Sequence, residues 1–179
     1  YGGASFENRF RFLRELVEAV TTVYPADRVA VRLSPNGIYG GMGSADNYEL
    51  FSYVFTELGK FGLAYIATHD GFGFGRSDKC KLFTVFDIKT LFKGTVMTTC
   101  SHTRDTGEGA LRSGAAELVG YGRPFLVNPD LVARFQNDWP LNPPLAYEFF
   151  WNAKKGLEGY SEFKAYEPKA ETDKAEQQP

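Results

Sequence analysis

A chain of 179 residues is long enough for one domain with a sizeable core, and its 43% hydrophobic and 16% aromatic content excludes a disordered protein. A formal charge of −2 and a sequence pI near 5.8 exclude a broad nucleic-acid phosphate interface. No apolar run approaches the roughly 20 residues that a bilayer span requires, and no charged-then-apolar leader opens the chain.

In chain order, Ser5 is placed to cap a first helix. Phe6, Phe10, Leu13, Leu16, Val17, Val20 and Val23 follow the helical period, and Pro25 ends the helix. Val29 to Leu33 reads as a buried strand stopped by Ser34-Pro35-Asn36-Gly37, and a glycine-rich loop runs on through Gly43. Tyr48, Phe51, Val54, Phe55 and Leu58 mark a second amphipathic helix, which ends at Gly59 or Gly62. Leu63 to Ala67 is a second strand, and its exit loop carries Gly71, Gly73 and Gly75. Val85, Ile88, Leu91 and Phe92 suggest a short helix before a third strand, Thr95 to Thr99. A helix over Arg104 to Ser113, a fourth strand at Leu118 to Tyr121, a helix starting around Asn128-Pro129-Asp130 and another over Pro144 to Lys154 complete the pattern.

Four strands alternating with helices imply right-handed β/α units on a parallel sheet, an α/β fold that amounts to half of an eight-stranded (β/α)8 barrel. Residues 1–163 form this half; residues 164–179, rich in Glu, Lys, Ala and Gln, read as a disordered charged tail. A half barrel leaves two open sheet edges and one uncovered apolar face. Either another polypeptide completes it or the four strands form an open sheet. The chain begins at Tyr1 rather than Met, directly before a helix, which reads as a cut within a larger protein and favours completion by an upstream half.

In a β/α barrel the chemistry sits at the C-terminal ends of the strands, and the loops after the last two strands commonly hold a phosphate. Gly120, Gly122 and Arg123 follow the fourth strand: the glycines let backbone N–H groups approach an anion, and the guanidinium adds a planar charged fork. Cys100 and Ser101, after the third strand, can contribute N–H groups to the same anion. A tight turn with a surface arginine and a helix cap are the plain alternatives. Arg32 interrupts an apolar strand, and a charge there calls for an electron-rich ligand edge or a core carboxylate. His69, Asp70, His102 and Cys100 lie at successive strand ends, but no HxH, HExxH or CxxC spacing supports a metal, and none is assigned. The stretch Gly71 to Arg76 lacks both the dinucleotide fingerprint and a P-loop; it reads as a lid carrying Phe72 and Phe74 over the substrate. Cys80 and Cys100, the only cysteines, show no pairing signature, which fits a reducing, cytoplasmic setting.

Several segments in register resemble the old yellow enzyme family of flavin-dependent ene-reductases. They are Tyr1-Gly2-Gly3 through Glu7-Asn8-Arg9-Phe10-Arg11-Phe12, Val31-Arg32-Leu33-Ser34-Pro35-Asn36-Gly37, Gly62 to Ile66, Gly120-Tyr121-Gly122-Arg123-Pro124-Phe125, Asn128-Pro129-Asp130-Leu131, Pro140-Leu141-Asn142 and Glu158-Gly159-Tyr160. The resemblance implies a (β/α)8 barrel that holds FMN at its C-terminal rim, takes hydride from NAD(P)H and reduces the C=C bond of activated alkenes such as α,β-unsaturated carbonyl compounds. It implies that Arg32 meets the pyrimidine edge of the flavin, that Gly120, Gly122 and Arg123 with Cys100 and Ser101 hold its phosphate, that Phe150 and Trp151 pack near the flavin, and that Tyr39 lines the substrate channel. It also implies that the residues activating the substrate lie upstream of Tyr1, so no catalytic residue is assigned. The family usually has glycine where Cys100 stands and Glu-Pro-Arg where Thr68-His69-Asp70 stands. The partners expected are a small alkene and the upstream half-barrel, with neither nucleic acid nor membrane. Two other readings stay open: a barrel lyase or isomerase acting on a phosphorylated substrate through His69 and His102, or a non-catalytic phosphate-binding half-barrel.

Overall fold

Ser5 opens the first helix, its hydroxyl accepting the Asn8 N–H at 3.2 Å. Helix α1 spans Phe6–Thr21 and buries Phe10 and Val17 two turns apart. It stops four residues before Pro25, where the Thr21 and Thr22 hydroxyls donate to the Val17 and Ala19 carbonyls. The computed structural model describes residues 1–69, 78–146, 148–149, 152–159 and 161–168. The chain divides into two units, Tyr1–Tyr121 and Gly122–Pro179.

In the first unit, strands β1 (Ala30–Leu33), β2 (Tyr65–His69), β3 (Val96–Thr99) and β4 (Leu118–Gly120) form one sheet in the order β1-β2-β3-β4. Every neighbouring pair is parallel. Helices α2 (Asn47–Leu58), α3 (Val85–Phe92) and α4 (Arg104–Arg112) connect them. Strand β2 runs two residues further than its apolar run, to His69, because Thr68 and His69 continue the ladder onto Thr98 and Thr99.

One face of the sheet is the core. Ile66 and Val96 are fully buried with Phe55, Leu58, Phe83, Ile88 and Phe92, and Val31 and Leu33 pack against them. The other face follows from the two-residue period: Ala30 and Arg32 stand in register with Tyr65 and Ala67, then Met97 and Leu118. Ala30, Arg32 and Leu118 on that face are exposed. Thr84 and Thr103 cap α3 and α4 through reciprocal capping boxes with Asp87 and Thr106. Gly59 lets the ends of α2 and α3 meet, since a Cβ there would lie 2.7 Å from the Phe92 carbonyl oxygen.

In the second unit the helix expected around Asn128-Pro129-Asp130 is α6 (Leu131–Asn137), with Asp130 at its N-cap, and a short helix that the sequence reading did not anticipate, α5 (Arg123–Val127), precedes it. Pro129 separates them: the residue before a proline is pushed out of the helical region, and Asn128 sits at φ −132°, ψ 88°. The Asn128 side chain then bridges, donating to Pro124 O at 2.9 Å and accepting the Asn142 N–H at 2.8 Å. Within the span Pro144 to Lys154 where a helix is expected, Glu148 and Phe149 are helical, residues 144–146 have no regular structure, and a 3-10 turn covers Ala153–Lys155; residues 147, 150 and 151 lie outside the described residues.

Lys164 and Tyr166, which the sequence reading assigns to a disordered tail, are held by hydrogen bonds; residues 169–179 lie outside the described residues. Arg134, only 2% exposed, donates to the Lys164 carbonyl at 3.2 Å, and the Tyr166 N–H donates to Asp130 at 2.7 Å. Trp139 stacks on the Tyr166 ring at 5.0 Å. Composition missed this because backbone groups and one tyrosine, rather than an apolar run, tie the segment down.

Candidate functional site at the strand ends

All four strands point the same way, so the residues leaving their C-terminal ends share one edge of the sheet. Thr99 is paired with Gly120. Cys100 and Tyr121, the residues that follow this pair, therefore leave the sheet side by side. Cys100 and Ser101 both take left-handed backbone conformations, at φ 80° and 65°, which residues with a Cβ seldom adopt. Gly120 sits close under its neighbour, since a Cβ there would come 2.9 Å from Thr99 Cγ2, whereas a Cβ at Gly122 would meet nothing within 4 Å. Arg123 follows as the first residue of α5 and is exposed.

The fourth strand end is held from below. Tyr121 donates its hydroxyl proton to the Thr103 carbonyl at 3.1 Å, and its phenol lies where a Gly107 Cβ would be, 2.0 Å from the oxygen. Burial, reinforced by the charge of Glu108, pushes the Tyr121 hydroxyl above its ordinary pKa, so it stays a neutral donor.

Arg32 lies on the open face of β1 and is exposed. Among the described residues it makes neither hydrogen bond nor ion pair, so the core-carboxylate alternative finds no partner there. A guanidinium with no partner among the described residues, standing on the open sheet face, is chemically suited to an anionic or electron-rich ligand edge. Tyr39 stands in a 3-10 turn after β1 and is 79% exposed. Phe72, Phe74, Phe150 and Trp151 lie outside the described residues.

The two histidines part company. His69 Nε2 lies 2.8 Å from Cys100 Sγ across the β2–β3 pair. His102 Nε2 lies 2.8 Å from Thr98 Oγ1, with Nδ1 3.4 Å from Thr106 Oγ1. Among the described residues no group of three or more His, Cys, Asp or Glu side chains could hold a metal ion.

Other polar contacts set the loops leading to the edge. Asn36, buried at 5%, donates to Phe83 O at 2.7 Å and accepts the Phe83 N–H at 2.9 Å. Asn47 donates to the Pro35 carbonyl. Arg9 binds Asp46 at 2.6 Å, and together with Ser44 it holds the Asp46 carboxyl down to about 2. Sequence reading did not single out these contacts, because each joins residues far apart in the chain.

Residues 1–142 match the NADH:flavin oxidoreductase / NADH oxidase family. The chain belongs to that family. It is 36% identical over 172 residues to 12-oxophytodienoate reductase 2 of Arabidopsis thaliana, covering 95% of this chain and 45% of the relative. It is 32% identical over 188 residues to enoate reductase 1 of Kluyveromyces lactis, covering 93% of this chain and 44% of that one. The old yellow enzyme homologue of Zymomonas mobilis superposes with a TM-score of 0.82 at 30% identity, over 92% of this chain and 46% of its own. As a member of this flavin oxidoreductase family, the chain has the fold of about half a β/α barrel and spans less than half the length of these relatives. Among the described residues no helix is long and apolar enough to cross a membrane.

Proposed function

We propose that this chain forms the flavin-phosphate-holding portion of an FMN-dependent oxidoreductase that uses NADH or NADPH to reduce the C=C bond of activated alkenes. The observation that carries the reading is the Arg32 guanidinium on the open sheet face, without a partner among the described residues, in a chain whose family is built on flavin chemistry. Bound FMN supplies the hydride transfer. Arg32 supplies a fixed positive charge for the pyrimidine edge, which favours the electron-rich reduced ring without any reorganisation. Ser101, the Cys100 backbone, Gly120, Gly122 and Arg123 hold the phosphate end. Tyr39 borders the substrate. The upstream half of the barrel is the partner that covers the open face and brings the groups that grip the alkene. Two half-buried free thiols support a reducing, cytoplasmic setting.

The test is reconstitution of the whole barrel, either fused or from two halves, with FMN. The expected result is a protein-bound flavin absorbance band that NADH or NADPH bleaches and an α,β-unsaturated ketone restores. Arg123→Ala and Arg32→Met each weaken flavin retention, on the order of tenfold or more for the loss of a charge-assisted contact. A whole barrel that retains no flavin, or retention untouched by both substitutions, overturns the reading.

A further inference from the structure

Two side chains at the rim, 31 positions apart in the chain, meet in a way that the flavin reading does not use. His69 ends β2 and Cys100 follows the last residue of β3, and the ladder sets His69 opposite Thr99. The next residue turns into the left-handed region at φ 80°, and its sulfur comes 2.8 Å from His69 Nε2. A thiol and an imidazole nitrogen at that separation are a nucleophile and its base within proton-transfer reach. Ser101 Oγ lies 3.7 Å from the same sulfur and can donate to it as charge develops. Both members are only half buried, so a small reagent can reach them. The other thiol, Cys80, is equally half buried, and among the described residues it has no histidine partner.

We propose that Cys100, with His69 as its base, is a site of covalent modification by soft electrophiles of the α,β-unsaturated carbonyl class. Sulfur is the polarisable nucleophile suited to the β-carbon of such an acceptor. His69 Nε2 takes the thiol proton as the sulfur lone pair forms the C–S bond. The alkene π pair moves to the α-carbon as an enolate, and the imidazolium returns the proton there. The net change is addition of S–H across C=C, with no oxidant, reductant or leaving group. No cofactor enters the step, so this inference does not rest on the flavin reading.

The experiment treats the full chain with limiting N-ethylmaleimide at neutral pH, quenches at intervals, and quantifies the Cys100 and Cys80 peptides by mass spectrometry. Native Cys100 is expected to react at least about tenfold faster than Cys80, a conservative share of what a positioned base supplies. In urea the two rates converge. His69→Gln is expected to slow Cys100 by a similar factor and leave Cys80 unchanged. Equal native rates, or a Cys100 rate indifferent to His69→Gln while Cys80 is also unchanged, overturns the proposal. If the variant shifts both thiols together its fold is disturbed, and the native-against-urea ratio of the unsubstituted chain decides.

Discussion

Asn36 and Phe83, 47 positions apart, exchange two hydrogen bonds: the side-chain amide of one copies the pairing of a strand with the backbone of the other. The bond pair is buried and fastens the loop leaving β1 to the segment that leads into α3. Asn36→Ala leaves the Phe83 N–H and carbonyl without partners, and is expected to cost about 2–4 kcal/mol. Urea unfolding followed by circular dichroism measures it. A cost within a few tenths of a kcal/mol would mean that water replaces the amide.

The Arg9–Asp46 pair makes the acid limb of stability specific. Arg9, and after it Ser44, bring the Asp46 carboxyl from 3.8 to about 2. A depressed carboxyl stabilises the fold above its unfolded value and loses that contribution as pH falls through the folded one. The stabilisation from Asp46 is therefore complete above about pH 4 and gone below about pH 2. Carboxyl NMR titration is expected to report the low value, and Arg9→Gln to move it back toward 3.8.

Arg134 carries a second expectation. It is 2% exposed, and its guanidinium meets Asp130 at 2.7 Å and the carbonyls of Pro140 and Lys164. Arg134→Met strands the Asp130 carboxylate and the two carbonyls, with an expected cost of about 3–5 kcal/mol. Limited proteolysis shows the loss as faster cleavage of the segment around Lys164. Unchanged cleavage would show that the Tyr166 contacts suffice alone.

Gly107→Ala tests the seat of the fourth strand end. Its Cβ would collide with the Tyr121 hydroxyl, 2.0 Å away, and displace the bond to Thr103 O. Alanine gains roughly 1 kcal/mol of helix propensity over glycine, so a net loss identifies the collision. Overpacking of this kind costs about 1–3 kcal/mol. Adding Tyr121→Phe removes the clashing atom, and a double-mutant cycle is expected to return part of the loss.

The strand and helix order was legible because apolar runs and the 3.6 period speak locally: Ile66, Val96, Phe55 and Ile88 all fall where their patterns put them. Strand ends were less legible. Thr68 and His69 extend β2 because a neighbouring ladder pairs them, although their own polarity argues for a loop. The second unit was least legible, since prolines and side-chain amides shape it rather than hydrophobic rhythm. At the candidate site, Arg32 announced itself by interrupting an apolar strand. The His69–Cys100 contact could be suspected only as nearness of strand ends, because nothing local in either residue encodes a partner 31 positions away.

Among the described residues, the outer margins of β1 and β4 pair with no further strand. Such margins are adhesive by their chemistry: rows of peptide donors and acceptors accept any extended segment that arrives first. If an upstream half completes the barrel, as proposed, copies of this chain compete with it for those positions at high concentration. Yield of a working barrel is thus a kinetic contest, won by mixing the complementary half early and in excess, or by tethering it.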